Sequence, residues 1–252
     1  QHAVERLDSL FPPERIRVVT RAEHSALLRA QVPTLSESNF IVEPEGRGTA
    51  PAIGLAAIHF YRQDPNAVMA VLTADHYIAD TARFQKVLQA AEKAARQGYL
   101  VTLGIEPTQP STAFGYIEQV QALDPIDDFK VFRVRAFTEK PNRETASRMV
   151  SSGIYSWNIG MFVWQVSQIL EEISRQMPDL AAKLAEIGQV WDTPSCQSTL
   201  ERVWPTIQPE TIDYGVMEGA RQVAVIPAQG LNWSDVGSWD SLFDVLPADQ
   251  SG

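Results

Sequence analysis

Several side chains in this sequence have types and settings that suit chemistry on anionic, polyhydroxy molecules. Asp75 in "LTADHYI" follows a run of apolar residues and reads as the end of a buried strand. A carboxylate there is costly unless it is paired, hydrogen-bonded or bound to a metal. Asp235 in "LNWSDVGSWDSL" lies in a tight turn between two tryptophans. Each of these aspartates reads either as a turn or helix-capping residue or as an oxygen ligand. Two carboxylates from distant strands holding one hydrated Mg²⁺ beside substrate phosphates is a usual way to bind that ion. Glu139 and Lys140 stand side by side in "FTEKPN". The carboxylate could accept two sugar hydroxyls and the ammonium could hold a phosphate as a point charge. Because successive strand side chains face opposite ways, the two need not form an ion pair. Asn158 in "WNIGMFVW" sits among aromatics, where its amide must find partners. Gly115 in "AFGYIEQV" offers backbone for close approach.

The stretch "VEPEGRGTAPAIGLAA", residues 42–57, reads as a strand end, a loop and a helix start, with Pro51 in a permitted first-turn position. Such a loop is either a plain turn or a cradle for something flat and polar. The four histidines have no H-x-x-x-H spacing and no cysteine partner, so a zinc site is not expected. Neither a G-x-S-x-G nor a Walker A motif is present.

The elements that must position these residues alternate. "RIRVVT", "FIVEP", "AVMAVLTAD" and "YLVTLGI" read as strands. Helical patterns lie between them: "EHSALLRAQV", "PAIGLAAIHFYRQ" and "DTARFQKVLQAAEKAARQG". In the last of these, Phe84, Val87, Leu88, Ala91 and Ala95 form one stripe, and Gly98 stands at the cap position. This rhythm predicts an α/β fold with a mixed, mainly parallel sheet flanked by helices. From about residue 111 the rhythm changes. "AFGYIEQV", "KVFRVRAFTEK" and "IYSWNIGMFVWQV" read as further strands, followed by a helical stretch broken at Pro178, Pro194, Pro205 and Pro209. A late strand, "QVAVIPA", and a last helix, "SWDSLFDVL", close the pattern. "QHAVERLDSLF" opens the chain with helical spacing. One domain over 1–252 is expected, with a nucleotide-binding half over 1–110 and a sugar-binding half over 111–245. Ligands of open α/β sheets bind at the carboxyl ends of strands, which nominates Glu43–Pro51, Thr73–His76, Glu106–Gly115 and Glu139–Pro141.

A formal net charge of −10 argues against a nucleic-acid or membrane-surface binder while leaving room for a small anionic ligand. The single cysteine, Cys196, rules out an internal disulfide and suits a reducing, cytoplasmic setting. No apolar run approaches the roughly 18 residues needed to span a bilayer.

Taken in order, these motifs together with "GIEPTQPSTAFGYIE" and "TIDYGVMEGARQVAVIP" resemble the bacterial mannose-1-phosphate guanylyltransferases of the sugar nucleotidyltransferase superfamily. The resemblance covers nearly all of residues 1–245. It implies a Rossmann-like nucleotidyltransferase core. It also implies transfer of GMP from GTP to α-D-mannose 1-phosphate with Mg²⁺, giving GDP-mannose and pyrophosphate. Glu43, Gly46, Arg47, Thr49, Ala50 and Pro51 match the nucleotide-binding loop, and the last five would lie beside guanine and ribose. Asp75 and Asp235 match the metal-binding aspartates, Asp75 serving the nucleotide as well. Gly115, Glu139 and Asn158 match the sugar-binding positions, and Lys140 the lysine near the phosphates; Asp75, Asp235 and Lys140 form the expected catalytic set. Gly48 stands where the family usually has Asn, and Ile159 where it often has Ser. The expected partners are GTP and mannose 1-phosphate, with a homodimer left open and neither nucleic acid nor membrane.

The family opens with a strand and a G-G-x-G-x-R loop, then a lysine in a P-K motif, whereas this sequence starts at Gln1 inside a helical pattern. The first strand and the phosphate loop are therefore expected to be missing, and the chain alone to be inactive. Two rivals follow: a glucose-1-phosphate thymidylyltransferase-like enzyme, and a non-catalytic nucleotide-sugar binder or regulatory subunit.

Overall fold

The computed structural model describes residues 1–236. Gly237 and the last predicted helix, residues 238–246, lie outside the described residues. The opening helix is shorter than its pattern: α1 covers His2–Glu5, and the chain continues in turns to Phe11, just before Pro12 and Pro13. There follow β1 (Val18–Arg21), α2 (Ala22–Gln31), β2 (Phe40–Glu43), α3 (Thr49–Gln63), β3 (Val68–Val71), β4 (Tyr77–Ile78), α4 (Thr81–Arg96), β5 (Leu100–Ile105), β6 (Gly115–Ala122) and β7 (Phe132–Thr138). The second half adds α5 (Arg143–Ser152), β8 (Tyr155–Gln165), α6 (Val166–Gln176), α7 (Pro178–Gln189), α8 (Cys196–Val203), α9 (Ile212–Gly215), β9 (Val223–Pro227) and β10 (Trp233–Ser234).

The main sheet is mixed and six-stranded, in the order β3-β8-β5-β9-β7-β6, and β6 also pairs with β8. Two smaller pairings accompany it: β1 with β2 in parallel, and β4 with β10 in antiparallel. The expectation of a mainly parallel sheet needs correcting. Among the described pairings of the main sheet only β5 and β9 are parallel; the rest are antiparallel. The βα rhythm did report direction, since β3, β5 and β9 all run the same way. It could not report adjacency. The eleven-residue β8 is inserted between β3 and β5 in the opposite direction, so both ladders become antiparallel.

Strand side chains alternate between two cores. Phe162 and Trp164 of β8, Leu100 of β5 and Val223 of β9 face α3, α6, α7 and α8. Met161 and Val163, Val101 and Leu103, and Ala224 and Ile226 face α4 instead. The apolar stripe of α4 is buried along its length, Asp80 caps its first turn, and Gly98 follows its last with φ +98°. Pro178 opens α7 at a position where a missing N–H costs nothing. No helix of the described residues is long and apolar enough to cross a membrane.

Candidate active site

The β4–β10 ribbon brings the two singled-out aspartates to one place. Ser234 registers with Tyr77, so Asp235, the next residue, falls beside His76, whose chain neighbour is Asp75. Trp233 donates its indole N–H to His76 Nδ1 at 3.2 Å, and His76 Nε2 stands 4.0 Å from Asp75 Oδ1. Burial pushes the His76 imidazole below its ordinary value, while the Asp75 and Asp235 carboxylates act the other way. Arg6, which follows α1, donates to the His76 carbonyl at 2.7 Å and is itself buried. One sequence expectation fails here. β3 stops at Val71, and Asp75 lies in the loop beyond it with its side chain 83% exposed, so it is not a buried strand-end carboxylate. Leu72 and Thr73 are only half-buried, and the apolar run carries on past the end of the ladder.

The second group sits where β6, β7 and β8 meet. Gly115 registers with Asn158, and a Cβ at Gly115 would collide with the Glu139 carboxylate. The bare Cα of Gly115 therefore lets Glu139 and Asn158 close over it. Lys140 has φ +44°, a left-handed conformation that costs a side-chain-bearing residue roughly 1–2 kcal/mol. This breaks the strand alternation, and Lys140 Nζ comes to 3.4 Å from Glu139 Oε1, so the pair does meet. Asn158 Nδ2 donates to Asp213 Oδ1 at 2.7 Å. Burial, with Asp213 second, raises the Glu139 carboxyl above its ordinary value; burial likewise raises Asp213, against the Asn158 hydrogen bond.

Aromatic contacts join the two groups. Trp157 and Phe114 lie 4.9 Å apart, Phe114 and Trp233 5.6 Å, and Trp233 and His76 5.3 Å, centroid to centroid. Each group flanks this chain: Asn158 follows Trp157, Gly115 follows Phe114, and Asp235 lies two residues beyond Trp233.

The loop from Glu43 to Pro51 leads from β2 into α3. Gly48 has φ +86° and ψ 176°, and any Cβ there would run into the Glu210 carbonyl. The Ala50 N–H donates to that carbonyl at 3.1 Å, and the Glu210 N–H donates to the Arg47 carbonyl at 3.0 Å. The Thr49 hydroxyl accepts the Ile212 N–H at 2.8 Å. Arg47 pairs with Glu45 and donates to the Pro205 carbonyl, while Trp204 donates to the Glu45 carbonyl. Arg47 and Thr49 thus fasten the loop to the segment before α9; Ala50 and Pro51 are buried in the first turn of α3, and Gly46 has open space around it. Glu43 Oε2, Arg47 Nε and Thr73 Oγ1 are buried without a hydrogen-bond partner among the described residues. Burial raises the Glu43 carboxyl, against the influence of Arg21, its register partner. Trp157 Nε1, Trp164 Nε1 and Gln168 Oε1 are likewise without a partner among the described residues, so this state is not confined to the loop; orphaned buried polar atoms are few in native proteins.

Sequence reasoning singled out neither Arg6 nor Asp213, and included His76 only as the end of the nominated loop Thr73–His76. Asp213 stood inside the quoted "TIDYGVMEG" motif, but nothing in its local pattern marks a partner 55 residues away.

The architecture is an α/β fold with a mixed sheet between helical layers, beside which the carboxylates, Lys140 and the fastened glycine loop lie. The whole chain, residues 1–252, matches the nucleotidyl transferase family, and the chain belongs to it. It is 40% identical over 258 residues to a mannose-1-phosphate guanylyltransferase of Salmonella montevideo, covering 100% of this chain and 54% of that protein. An Escherichia coli mannose-1-phosphate guanylyltransferase is 37% identical over 255 residues, with the same coverage of 100% and 54%. The chain thus spans about half the length of the curated relatives it matches. Among solved structures, a mannose-1-phosphate geranyltransferase from Thermus thermophilus superposes with a TM-score of 0.85 at 31% identity, over 98% of this chain and 69% of that one. A mannose-6-phosphate isomerase from Helicobacter pylori superposes with a TM-score of 0.77 at 24% identity, over 92% and 89%, a likeness of fold alone.

Proposed function

We propose that this chain is the nucleotidyl-transferring part of a mannose-1-phosphate guanylyltransferase, acting in the cytoplasm on GTP and α-D-mannose 1-phosphate. The observation that carries this reading is the convergence of Glu139, Lys140 and Asn158 over Gly115, joined by aromatic contacts to the Asp75–Asp235 ribbon. The names of the relatives at 37–40% identity favour the mannosyl and guanylyl choice.

In this reading a phosphate oxygen of mannose 1-phosphate attacks the α-phosphorus of GTP. The bond from that phosphorus to its bridging oxygen breaks, and pyrophosphate leaves with the electron pair. No protein nucleophile is needed; the protein contributes position and charge. Glu139 and Asn158 hold sugar hydroxyls, and Lys140 meets the sugar phosphate. The loop from Glu43 to Pro51 lies against the base, with the free Glu43 oxygen as an acceptor for its N–H groups. The residues present fit Mg²⁺. Asp75 and Asp235 are oxygen donors on either side of His76, and the unpartnered Thr73 hydroxyl lies two residues before Asp75. Mg²⁺ held by two carboxylates would complete its shell with water and substrate phosphate oxygens. When bound, Mg²⁺ would neutralise charge on the phosphate oxygens.

Thermal-shift titration tests the proposal. GDP-mannose should stabilise the chain more than dTDP-glucose does; equal or reversed stabilisation would sink the guanylyltransferase reading.

A further inference from the structure

The "TIDYGVMEG" segment has no role in the reaction as drawn so far, yet it touches both halves of the cleft. The Thr49 hydroxyl of the nucleotide loop accepts the Ile212 N–H at 2.8 Å. One residue on, Asp213 Oδ1 receives Asn158 Nδ2 at 2.7 Å. The orientation of that amide is forced. The Gly160 N–H donates to Asn158 Oδ1 at 3.2 Å, and the Thr102 hydroxyl lies 3.2 Å from the same oxygen. Turning the amide over would set N–H against N–H at Gly160 and oxygen against carboxylate at Asp213. Asn158 Oδ1 is therefore occupied, one Nδ2 hydrogen is given to Asp213, and the other has no acceptor among the described residues. Asp213 keeps a second carboxylate oxygen, and its charge reaches Glu139, whose carboxyl it helps to raise.

We propose that Asp213 is a positioning residue for the sugar, fixing the Asn158 amide so that its other N–H and the Glu139 carboxylate address the same hydroxyl groups. This rests on the guanylyltransferase reading for the identity of the ligand. The chemistry of the cleft agrees with it. Asp213 acts on Glu139, and both act on Glu218, each in the direction that raises the carboxyl, while Lys140 opposes burial at Glu139 and Asp213. Such a set accepts hydrogen bonds from a polyol and meets one phosphate at its rim. Because α9 is tied to the nucleotide loop through Thr49, seating the base loop also seats Asp213.

The test compares GDP-mannose with GDP, which lacks the sugar, by calorimetric titration of the full chain. Asp213→Ala should weaken GDP-mannose binding by about tenfold to a hundredfold, the value of a hydrogen bond to a charged group, and leave GDP binding nearly unchanged. Asp213→Asn, which keeps an acceptor oxygen in the same place, should lie closer to the parent. Asn158→Ala combined with Asp213→Ala should be little worse than Asn158→Ala alone, since one residue acts through the other. Equal losses for GDP-mannose and GDP, no loss for either, or additive effects in the double variant would each overturn the proposal. Should the parent prefer another nucleotide sugar, the guanylyltransferase reading fails, and that nucleotide sugar against its own nucleoside diphosphate decides for or against Asp213. A parent that binds no nucleotide sugar overturns both.

Discussion

Glu139 lies between the Asp213 carboxylate, which raises it, and the Lys140 ammonium, which lowers it, and this makes its behaviour depend on pH. Burial and Asp213 raise its carboxyl above the ordinary range, with Lys140 only partly opposing them. In the window from the ordinary carboxylate range up to the raised value, the folded chain holds a proton that the unfolded chain has lost. Folding stability without ligand therefore falls as pH rises through that window. Sugar hydroxyls favour the ionised carboxylate, so affinity for GDP-mannose should climb over the same interval. Glu139→Gln should reduce the slope of both profiles, leaving the part that the raised carboxyls of Glu43, Asp213 and Glu218 contribute, as followed by thermal melting and titration across mildly acidic pH; unchanged slopes would mean that Glu139 titrates normally. Asp235 is a second case. It is half-buried just beyond the end of β10, so Asp235→Asn should spare the fold. The variant should lose the Mg²⁺-dependent part of GTP binding and, in a protein that turns over, about two orders of magnitude in rate. If Mg²⁺ still strengthened GTP binding as in the parent, Asp235 would be a turn residue and no more.

At the scale of elements, the loop before α3 depends on one glycine. Gly48 occupies a backbone region essentially closed to other residues, and its Cα rests against the Glu210 carbonyl. Gly48→Ala should cost about 1–3 kcal/mol in urea unfolding and loosen the segment that carries Asp213. Gly153 is the control. It is also left-handed, at φ +70°, but a Cβ there meets nothing, so Gly153→Ala should cost only about 1 kcal/mol. Equal losses at the two positions would remove the Glu210 contact from the account. Elements whose signals are local were legible in the sequence. α4 carries its stripe, its aspartate cap and its glycine within one window, and Pro178 marks the start of α7. Gly115, Glu139 and Asn158 were also legible as residues of interest, because each breaks an apolar strand pattern. Strand adjacency was not legible, because inserting β8 between β3 and β5 depends on which faces its eleven residues can bury at once. Nor was the exposure of Asp75, whose apolar run outlasts its ladder, or the place of Asp213, set by Thr49 and Asn158 from distant elements.

The whole molecule is held by strands that serve two cores at once. β5, β8 and β9 each send alternate side chains to opposite layers, and β3 and β5 of the first half lie on either side of β8 of the second. Neither layer can be lost without stripping one face of the same strands. Leu103→Ala on the α4 side and Phe162→Ala on the α3–α6–α7 side remove fully or almost fully buried side chains, 0% and 2% exposed. They should cost about 2–5 and 3–5 kcal/mol respectively. Both should lower one shared transition. Far-UV circular dichroism, which follows the helices, and tryptophan fluorescence, weighted towards Trp164 and Trp204 in one layer, should then give coincident midpoints in parent and variants. On the proposed function, GDP-mannose should raise that single midpoint with both probes together. Separate transitions, with Leu103→Ala moving one and Phe162→Ala the other, would show that residues 1–110 and 111–245 unfold as independent units and that the sheet does not couple them.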